Sequence, residues 1–176
     1  AVTSEMLQHP GECDAFINAT ADMNVCTIGH FRTTVVHSKM VSVVLHDPAT
    51  SAFLDEGERA FVQAHVPRTY RLKVKEAQLV EEVKAEKDLW IIKPEDDYGA
   101  HGVFAGIDHD EDAWARIVDE RLDAGCIVQE YYLPRTVPLM PARLSVDGDA
   151  LRVEDWHTMP GLYTYNGRFA GVYSRE

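Results

Sequence analysis

Lys93 stands near the end of an apolar run, WIIKP (90–94), and a loop that contains Gly99 and Gly102 follows it. Glycines let the backbone approach a ligand closely and turn its N–H groups toward an anion. A lysine at a strand end adds a compact positive charge beside those groups. These residue types in this order predict a binding site for a polyphosphate.

Two well-known phosphate-binding motifs do not occur in the sequence. There is no GxxxxGK[ST], and no GxGxxG lies between a predicted strand and a predicted helix. The predicted site is therefore neither a P-loop nor a Rossmann fingerprint. On these residues alone, the simpler alternative of a solvated lysine beside a tight hairpin stays open.

The elements around the loop are predicted to be two strands, a helix and a third strand. They are LWIIKP (89–94), GVFAGI (102–107), a helix within 108–125, and CIVQEYYLP (126–134). Asp108 or Asp110 is the expected N-cap of the helix, and Gly125 suits the left-handed residue after its end. The tempting metal cluster of Asp108, His109, Asp110 and Asp112 is better explained by acids that complement the helix dipole.

Upstream of this segment the sequence predicts two strands followed by three helices. The strands are CDAFINA (13–19) and NVCTIGHF (24–31), and the helices lie within 38–47, 53–67 and 75–87. The second helix should begin with a capping box formed by Asp55 and Glu58. Its buried side is predicted to consist of Leu54, Phe61 and Val62. Downstream, the dipeptides DG (147–148) and NG (166–167) predict hairpin turns.

Composition limits the classes of protein and of partner. The 176 residues are 45% hydrophobic, which predicts a globular protein, and no apolar run approaches the length of a membrane span. The 17 basic and 29 acidic residues give a net charge of −12, which repels nucleic acid. Three cysteines without metal-ligand spacing suit reduced thiols, so a cytoplasmic location is expected.

Several of these segments together resemble a known family. IIKPEDDYGAHGVFAG (91–106), followed by CIVQEYY (126–132), resembles the nucleotide-binding lobe of the ATP-grasp superfamily. The similarity is to its circularly permuted branch and to relatives of glutathionylspermidine synthase. HSKMVSVVLHDP with HVPRTYRL is similar to the lead-in segment of those proteins, and MPGLYTYNGRFAGVYSR to their closing hairpin. The resemblance covers roughly residues 30 to 176.

The resemblance implies an α+β fold of two α/β lobes, with mostly antiparallel sheets and a nucleotide cleft between them. It implies an N-terminal segment over 1–66, a nucleotide-binding lobe over 67–134 and a β-rich, incomplete lobe over 135–176. The chain opens at Ala1 and stops after a predicted strand, so a fragment of a longer protein is also expected.

The resemblance also assigns roles to individual residues. Lys93 would contact the α and β phosphates of ATP, Lys39 would add a second contact, and Gln129, Glu130, Tyr131 and Tyr132 would form the adenine-binding edge. The loop of Gly99, Ala100, His101 and Gly102 would close over the triphosphate, although His101 replaces a residue that is commonly glycine or lysine. Arg143 and Arg175 would stabilise a transferring phosphoryl group.

The activity implied is that of an ATP-dependent ligase that joins a carboxylate to an amine or a thiol through an acylphosphate, with Mg²⁺ bridging the phosphates. The usual Glu-x-Asn magnesium pair is not evident; Asp147, Glu154 and Asp155 on the later strands are candidates, whereas in the permuted relatives the acidic motif lies upstream of the lysine. Two alternatives stay open: a noncatalytic ATP-grasp-like module, and a structural or interaction domain in which the loop has no ligand. Small-molecule substrates are expected, and neither nucleic acid nor a membrane is.

Overall fold

The structure is a computed structural model, and it describes residues 6, 8, 9, 11–140 and 153–175. These residues form a mixed α+β structure in which each strand pair is antiparallel, as the sequence predicted. The chain divides into two compact units, residues 1–131 and 132–176, and each is considered separately. Across the described ranges, no helix has the length and apolar character needed to cross a bilayer.

Short helices make up the N-terminal part of the first unit. They are α1 (Asp14–Ala21), α2 (Thr34–His37), α3 (Met40–His46), α4 (Pro48–Ser51) and α5 (Glu56–His65), with a 3-10 turn at Phe31–Thr33. The prediction of strands over 13–19 and 24–31 is therefore wrong. Ala15, Ala19 and Ala21 favour the helix that replaces the first strand. In the second segment Ile28 is exposed, so no apolar face is buried there that would require a strand.

The capping box predicted for α5 is confirmed. The Glu58 backbone N–H donates to Asp55 Oδ1 over 2.8 Å, and the Asp55 N–H donates to Glu58 Oε2 over 2.9 Å. The predicted buried side is only partly correct, because Val62 is 8% exposed whereas Phe61 is 62% exposed. Adjacent helical residues point about 100° apart, so one of the pair faces the core and the other faces away.

A four-stranded sheet organises the rest of the first unit. Its strands are β1 (Thr69–Arg71), β2 (Trp90–Pro94), β3 (Phe104–Ala105) and β4 (Cys126–Glu130), in the order β1-β4-β2-β3. Helices α6 (Ala77–Ala85) and α7 (Glu111–Arg121) lie between strands in the sequence. The predicted strands and helices are thus confirmed with shorter ends. Strand β3 stops early because Gly106 begins a 3-10 turn and lies directly against the Lys87 carbonyl.

The hydrophobic core lies between α6, α7 and one face of this sheet. Trp114 is fully buried, and its indole N–H donates to the Val83 carbonyl oxygen over 2.8 Å, which ties α7 to α6. The other buried members of the cluster come from the strands, the helices and the residue after β1: Leu72, Val80, Val83, Trp90, Ile92, Val118, Cys126 and Val128. Burial of this apolar area stabilises the sheet and fixes the orientation of its opposite face.

Strand alternation places a second set of side chains on the face away from the core. Thr69 pairs with Gln129, and Ile91 pairs with Gln129 from the other side. The neighbouring row contains Arg71, Ile127 and Lys93. Paired residues, and residues two apart along a strand, lie on the same face of a sheet. Lys93 and Gln129 therefore belong to one surface, and helix α3 packs against β1 at its side.

The second unit consists of two antiparallel strand pairs among its described residues. Strand β5 (Thr136–Leu139) pairs with β6 (Glu154–His157), and β7 (Met159–Tyr165) pairs with β8 (Arg168–Arg175). Asn166 and Gly167 have φ angles of 53° and 71°, which confirms the predicted hairpin turn. The predicted DG turn at 147–148 lies outside the described residues.

Candidate functional site

Lys93 is half-buried on the face of the sheet away from the core and does not extend into solvent. Its ammonium Nζ donates to Gln129 Oε1 over 2.8 Å, from β2 to β4. Its pKa is lowered from the ordinary lysine value, first because burial disfavours the charged form and second because Lys39 places another positive charge nearby. The lysine that the sequence singled out is therefore held in a defined place.

Lys39 reaches the same region from the N-terminal side of α3. Its backbone N–H donates to the Glu95 carbonyl oxygen over 2.9 Å, and its Nζ donates to the Asp97 carbonyl oxygen over 2.7 Å. The Ser38 hydroxyl also donates to the Glu95 carbonyl, over 3.2 Å. The segment before α3 is thus anchored to the chain that leaves β2, and it brings the second ammonium close to the first.

The two lysines differ from the other charges on this face in lacking counter-ions. Arg71 binds Glu95 through two hydrogen bonds, from Nε to Oε1 at 2.9 Å and from Nη2 to Oε2 at 3.1 Å. Within the described part of the chain, neither Lys39 nor Lys93 forms an ion pair with a carboxylate. Two half-buried cations without a counter-ion have the character of an anion site.

The loop after Lys93 contains several residues with left-handed backbone conformations. Gly99, Ala100 and Gly102 have φ angles of 66°, 60° and 65°, and the His101 N–H donates to the Tyr98 carbonyl oxygen over 3.4 Å to close a turn. A β carbon at Gly102 would lie 2.9 Å from Pro94 Cγ. Gly102 is therefore needed both for its backbone conformation and for its close approach to Pro94.

His101 packs within this loop. Its ring lies edge-on to Tyr98, with ring centroids 6.3 Å apart. The residues from Gly99 to Gly102 are exposed. The structure accordingly brings Lys39, Lys93 and the start of the loop together in one unit of the chain.

Gln129 and Glu130, assigned to the adenine edge, already have partners inside the protein. Gln129 binds Lys93 through Oε1, and its Nε2 donates to Thr69 Oγ1 over 2.8 Å. Glu130 accepts from Arg68 Nε over 2.6 Å and from the Arg68 backbone N–H over 3.0 Å. Strand β4 is also central in the sheet, and the adenine contacts assigned to these two residues stay a prediction.

The remaining predicted site residues belong to both units of the chain. The Tyr131 N–H donates to the Leu89 carbonyl over 2.8 Å, and Tyr132 belongs to the second unit. Arg175 ends β8, with its guanidinium 5.2 Å from the centre of the Tyr173 ring. Arg143 lies outside the described residues. Lys39 and Lys93 are thus together, whereas a shared site for the two arginines stays a prediction.

Acidic residues do not converge on a metal-binding arrangement in the described ranges. Asp110 Oδ1 accepts the Ala113 N–H over 2.7 Å and caps α7, as the sequence predicted. Glu154 and Asp155 are successive residues of β6, so their side chains point to opposite faces. Asp147 is not among the described residues.

Two residues of the site were not identified from the sequence. Thr69 is 1% exposed and hydrogen-bonds Gln129, and Glu95 binds Arg71 while its carbonyl anchors Lys39. A buried threonine in a short strand has no distinctive spacing in the sequence. Glu95 is not distinguished by type from the two acids that follow it in PEDD (94–97). Only the tertiary structure joins Thr69 to Gln129 and Glu95 to Arg71 and Lys39.

Comparison of the chain with models of known protein families and with curated protein sequences finds no match. The resemblance to ATP-grasp proteins therefore rests on the segments quoted above.

Proposed function

We propose that the chain is the ATP-binding, ATP-grasp domain of a ligase that joins a carboxylate to an amine or a thiol through an acylphosphate. One observation carries the proposal: Lys39 and Lys93 are half-buried, interact electrostatically and have no carboxylate partner in the described ranges. Two such charges repel each other until an anion neutralises them. A triphosphate is that anion, and the resemblance to ATP-grasp proteins indicates that its nucleoside is adenosine.

The contacts already made by the two lysines are compatible with phosphate binding. An ammonium group has three N–H donors, so Lys93 can keep its bond to Gln129 and Lys39 its bond to Asp97 while each donates to a phosphate oxygen. Lys93 then holds the α and β phosphates, and the loop from Gly99 to Gly102 covers the triphosphate. Charge-assisted bonds of this kind contribute about 1.5–3 kcal/mol each.

The later steps belong to residues whose roles come from the resemblance. Arg143 and Arg175 are the candidates for neutralising the phosphoryl group during transfer, because a guanidinium binds two oxygens at once. Mg²⁺ would neutralise phosphate charge in this chemistry. Glu154 and Asp155 do not fit the ion as a pair, since their side chains face opposite ways.

Nucleotide-dependent melting tests the proposal directly. ATP with and without Mg²⁺ should raise the melting temperature of the wild-type protein, because a ligand that binds only the folded state stabilises it. Lys93→Met should reduce the increase strongly. Lys75→Met is the matched control, because Lys75 is exposed and its ion pair among the described residues is with its neighbour Glu76, at 3.7 Å. Equal increases in all three proteins would refute the role of Lys93.

ADP formation separates the ligase from a noncatalytic module with the same fold. The ligase should release ADP when mixtures of carboxylates and amines or thiols are supplied with ATP and Mg²⁺. Binding without substrate-dependent ADP release would instead favour the noncatalytic module. If ATP does not raise the melting temperature at all, the structural or interaction domain is the remaining function.

A further inference from the structure

Lys93 is the end of a chain of hydrogen bonds that begins at a buried hydroxyl. The Thr69 hydroxyl donates to the Pro67 carbonyl oxygen over 2.8 Å, and Gln129 Nε2 donates to Thr69 Oγ1 over 2.8 Å. Gln129 Oε1 then accepts from Lys93 Nζ over 2.8 Å. The three side chains lie on the same face of the sheet and belong to three adjacent strands.

The direction of these bonds is fixed by the first of them. A threonine hydroxyl has one hydrogen, and Thr69 gives it to Pro67, so its oxygen is left to accept. Gln129 must therefore present its NH₂ group to Thr69 and its carbonyl oxygen to Lys93. The reversed amide would direct an N–H donor at an ammonium group, which is repulsive.

We propose that Thr69 and Gln129 are positioning residues for the anion site: the Thr69 hydroxyl orients the Gln129 amide, and the amide holds the Lys93 ammonium in place for a phosphate. The inference rests on the proposed function for its ligand. It assigns Gln129 to Lys93 instead of to adenine, since both ends of its amide are already used.

Thr69→Val is the variant that removes the hydroxyl and keeps the shape of the side chain. Pro67 would not lose its only partner, because its carbonyl oxygen also lies 3.2 Å from His46 Nε2. The amide of Gln129 would lose its fixed orientation. Thr69→Ser keeps the hydroxyl and should restore the wild-type behaviour. Thr158→Val is the control, since the Thr158 hydroxyl also donates to a backbone carbonyl, that of Arg135, in the second unit.

The readout specific to positioning is the pH titration of Lys93, monitored by NMR in protein with labelled lysines. The Lys93 signal is assigned by its absence in Lys93→Met. In Thr69→Val its midpoint should fall, because the Gln129 oxygen that favours the charged form is no longer held toward the ammonium. Among the described residues, the charged and titratable groups on this face and on α3 beside it include Lys39, His46, Arg71 and Glu95, and all variants keep them. A purely structural role of Thr69 would leave the midpoint unchanged in any variant that folds.

ATP affinity is the second readout. Thr69→Val should weaken binding by roughly three- to tenfold, the equivalent of one ordinary hydrogen bond, with Thr69→Ser and Thr158→Val within about twofold of wild type. If wild type binds no ATP, the proposed function fails, and the Lys93 titration still decides the positioning role. Equal midpoints in Thr69→Val and wild type, or equal effects of Val and Ser, would overturn it. Should Thr69→Val not fold, Gln129→Met must lower the midpoint instead.

Discussion

Two residues in the loop after Lys93 have the same left-handed backbone conformation, but one is an alanine and the other a glycine. Ala100 has a left-handed backbone, at φ 60°, that costs a non-glycine residue about 1–2 kcal/mol. Gly102 has a similar φ, and there a methyl group would also meet Pro94 at 2.9 Å. The loop therefore keeps one strained residue beside one that permits no side chain.

Exchanging these residues should change stability in opposite directions. Ala100→Gly should raise the free energy of unfolding by about 0.5–1 kcal/mol, because relief of strain exceeds the added freedom of the unfolded chain. Gly102→Ala should lower it, because it adds both backbone strain and a clash with Pro94. Urea unfolding gives the values. Ala124→Gly is the control, since Ala124 has no positive φ, and it should be destabilising. Stabilisation by Gly102→Ala would contradict the assigned geometry.

The buried charge of Lys93 should appear in the pH dependence of stability. Its folded pKa lies below its unfolded value, so the unfolded state binds more protons between the two, and the free energy of unfolding rises with pH there. The difference in stability between wild type and Lys93→Met should therefore grow in favour of wild type as pH rises toward about 10.4. The Cys126 thiol, whose pKa burial raises, acts oppositely but is common to both proteins. A constant difference would mean that Lys93 is not desolvated.

At the scale of elements, α7 is held by its N-cap and by two residues in the core. Asp110 caps the first turn, and Trp114 and Val118 are fully buried. Asp110→Ala should destabilise the protein by about 1 kcal/mol, whereas Asp110→Asn should be nearly neutral, because asparagine caps equally well. Thermal denaturation measures both. If the asparagine variant loses as much as the alanine variant, the carboxylate has a role that capping does not explain.

Elements with local chemical signals could be predicted from the sequence, and those without could not. Short-range hydrogen bonds determine the capping box of Asp55 with Glu58 and the N-cap at Asp110. Backbone preference determines the turn at Asn166 and Gly167. The segments 13–19 and 24–31 are short apolar runs that fit a strand or a helix equally well. Only the tertiary structure decides between the two, because strands need partners and helices do not.

Some residues of the candidate site could likewise be predicted from the sequence, and others could not. Lys93 and its glycine loop could be identified because residue type and order alone suggest an anion. Thr69 could not be identified, because it lies more than twenty positions before Lys93 in the sequence. It contacts Gln129 only because β1 pairs with β4. The central place of β4 could not be predicted from the sequence for a related reason, since the order of strands is a property of the whole sheet.

The whole chain is asymmetric in where its core lies. All twelve buried hydrophobic residues of the described ranges fall between Val62 and Val128, within the first unit. A chain that ends after Tyr131 should therefore still unfold cooperatively, because the contacts that stabilise the sheet are retained. Circular dichroism during thermal denaturation tests this. A broad, non-cooperative change would show that the first unit depends on residues 132–176.

The central claim, that Lys93 and Lys39 hold the phosphates of a nucleotide, is tested most directly by calorimetric titration with ATP. Wild type should bind, and Lys93→Met should bind at least about tenfold more weakly, which corresponds to one charge-assisted hydrogen bond. Lys39→Met should also weaken binding, and Lys75→Met should not. Equal dissociation constants for wild type and Lys93→Met, or no heat of binding in wild type, would contradict the account.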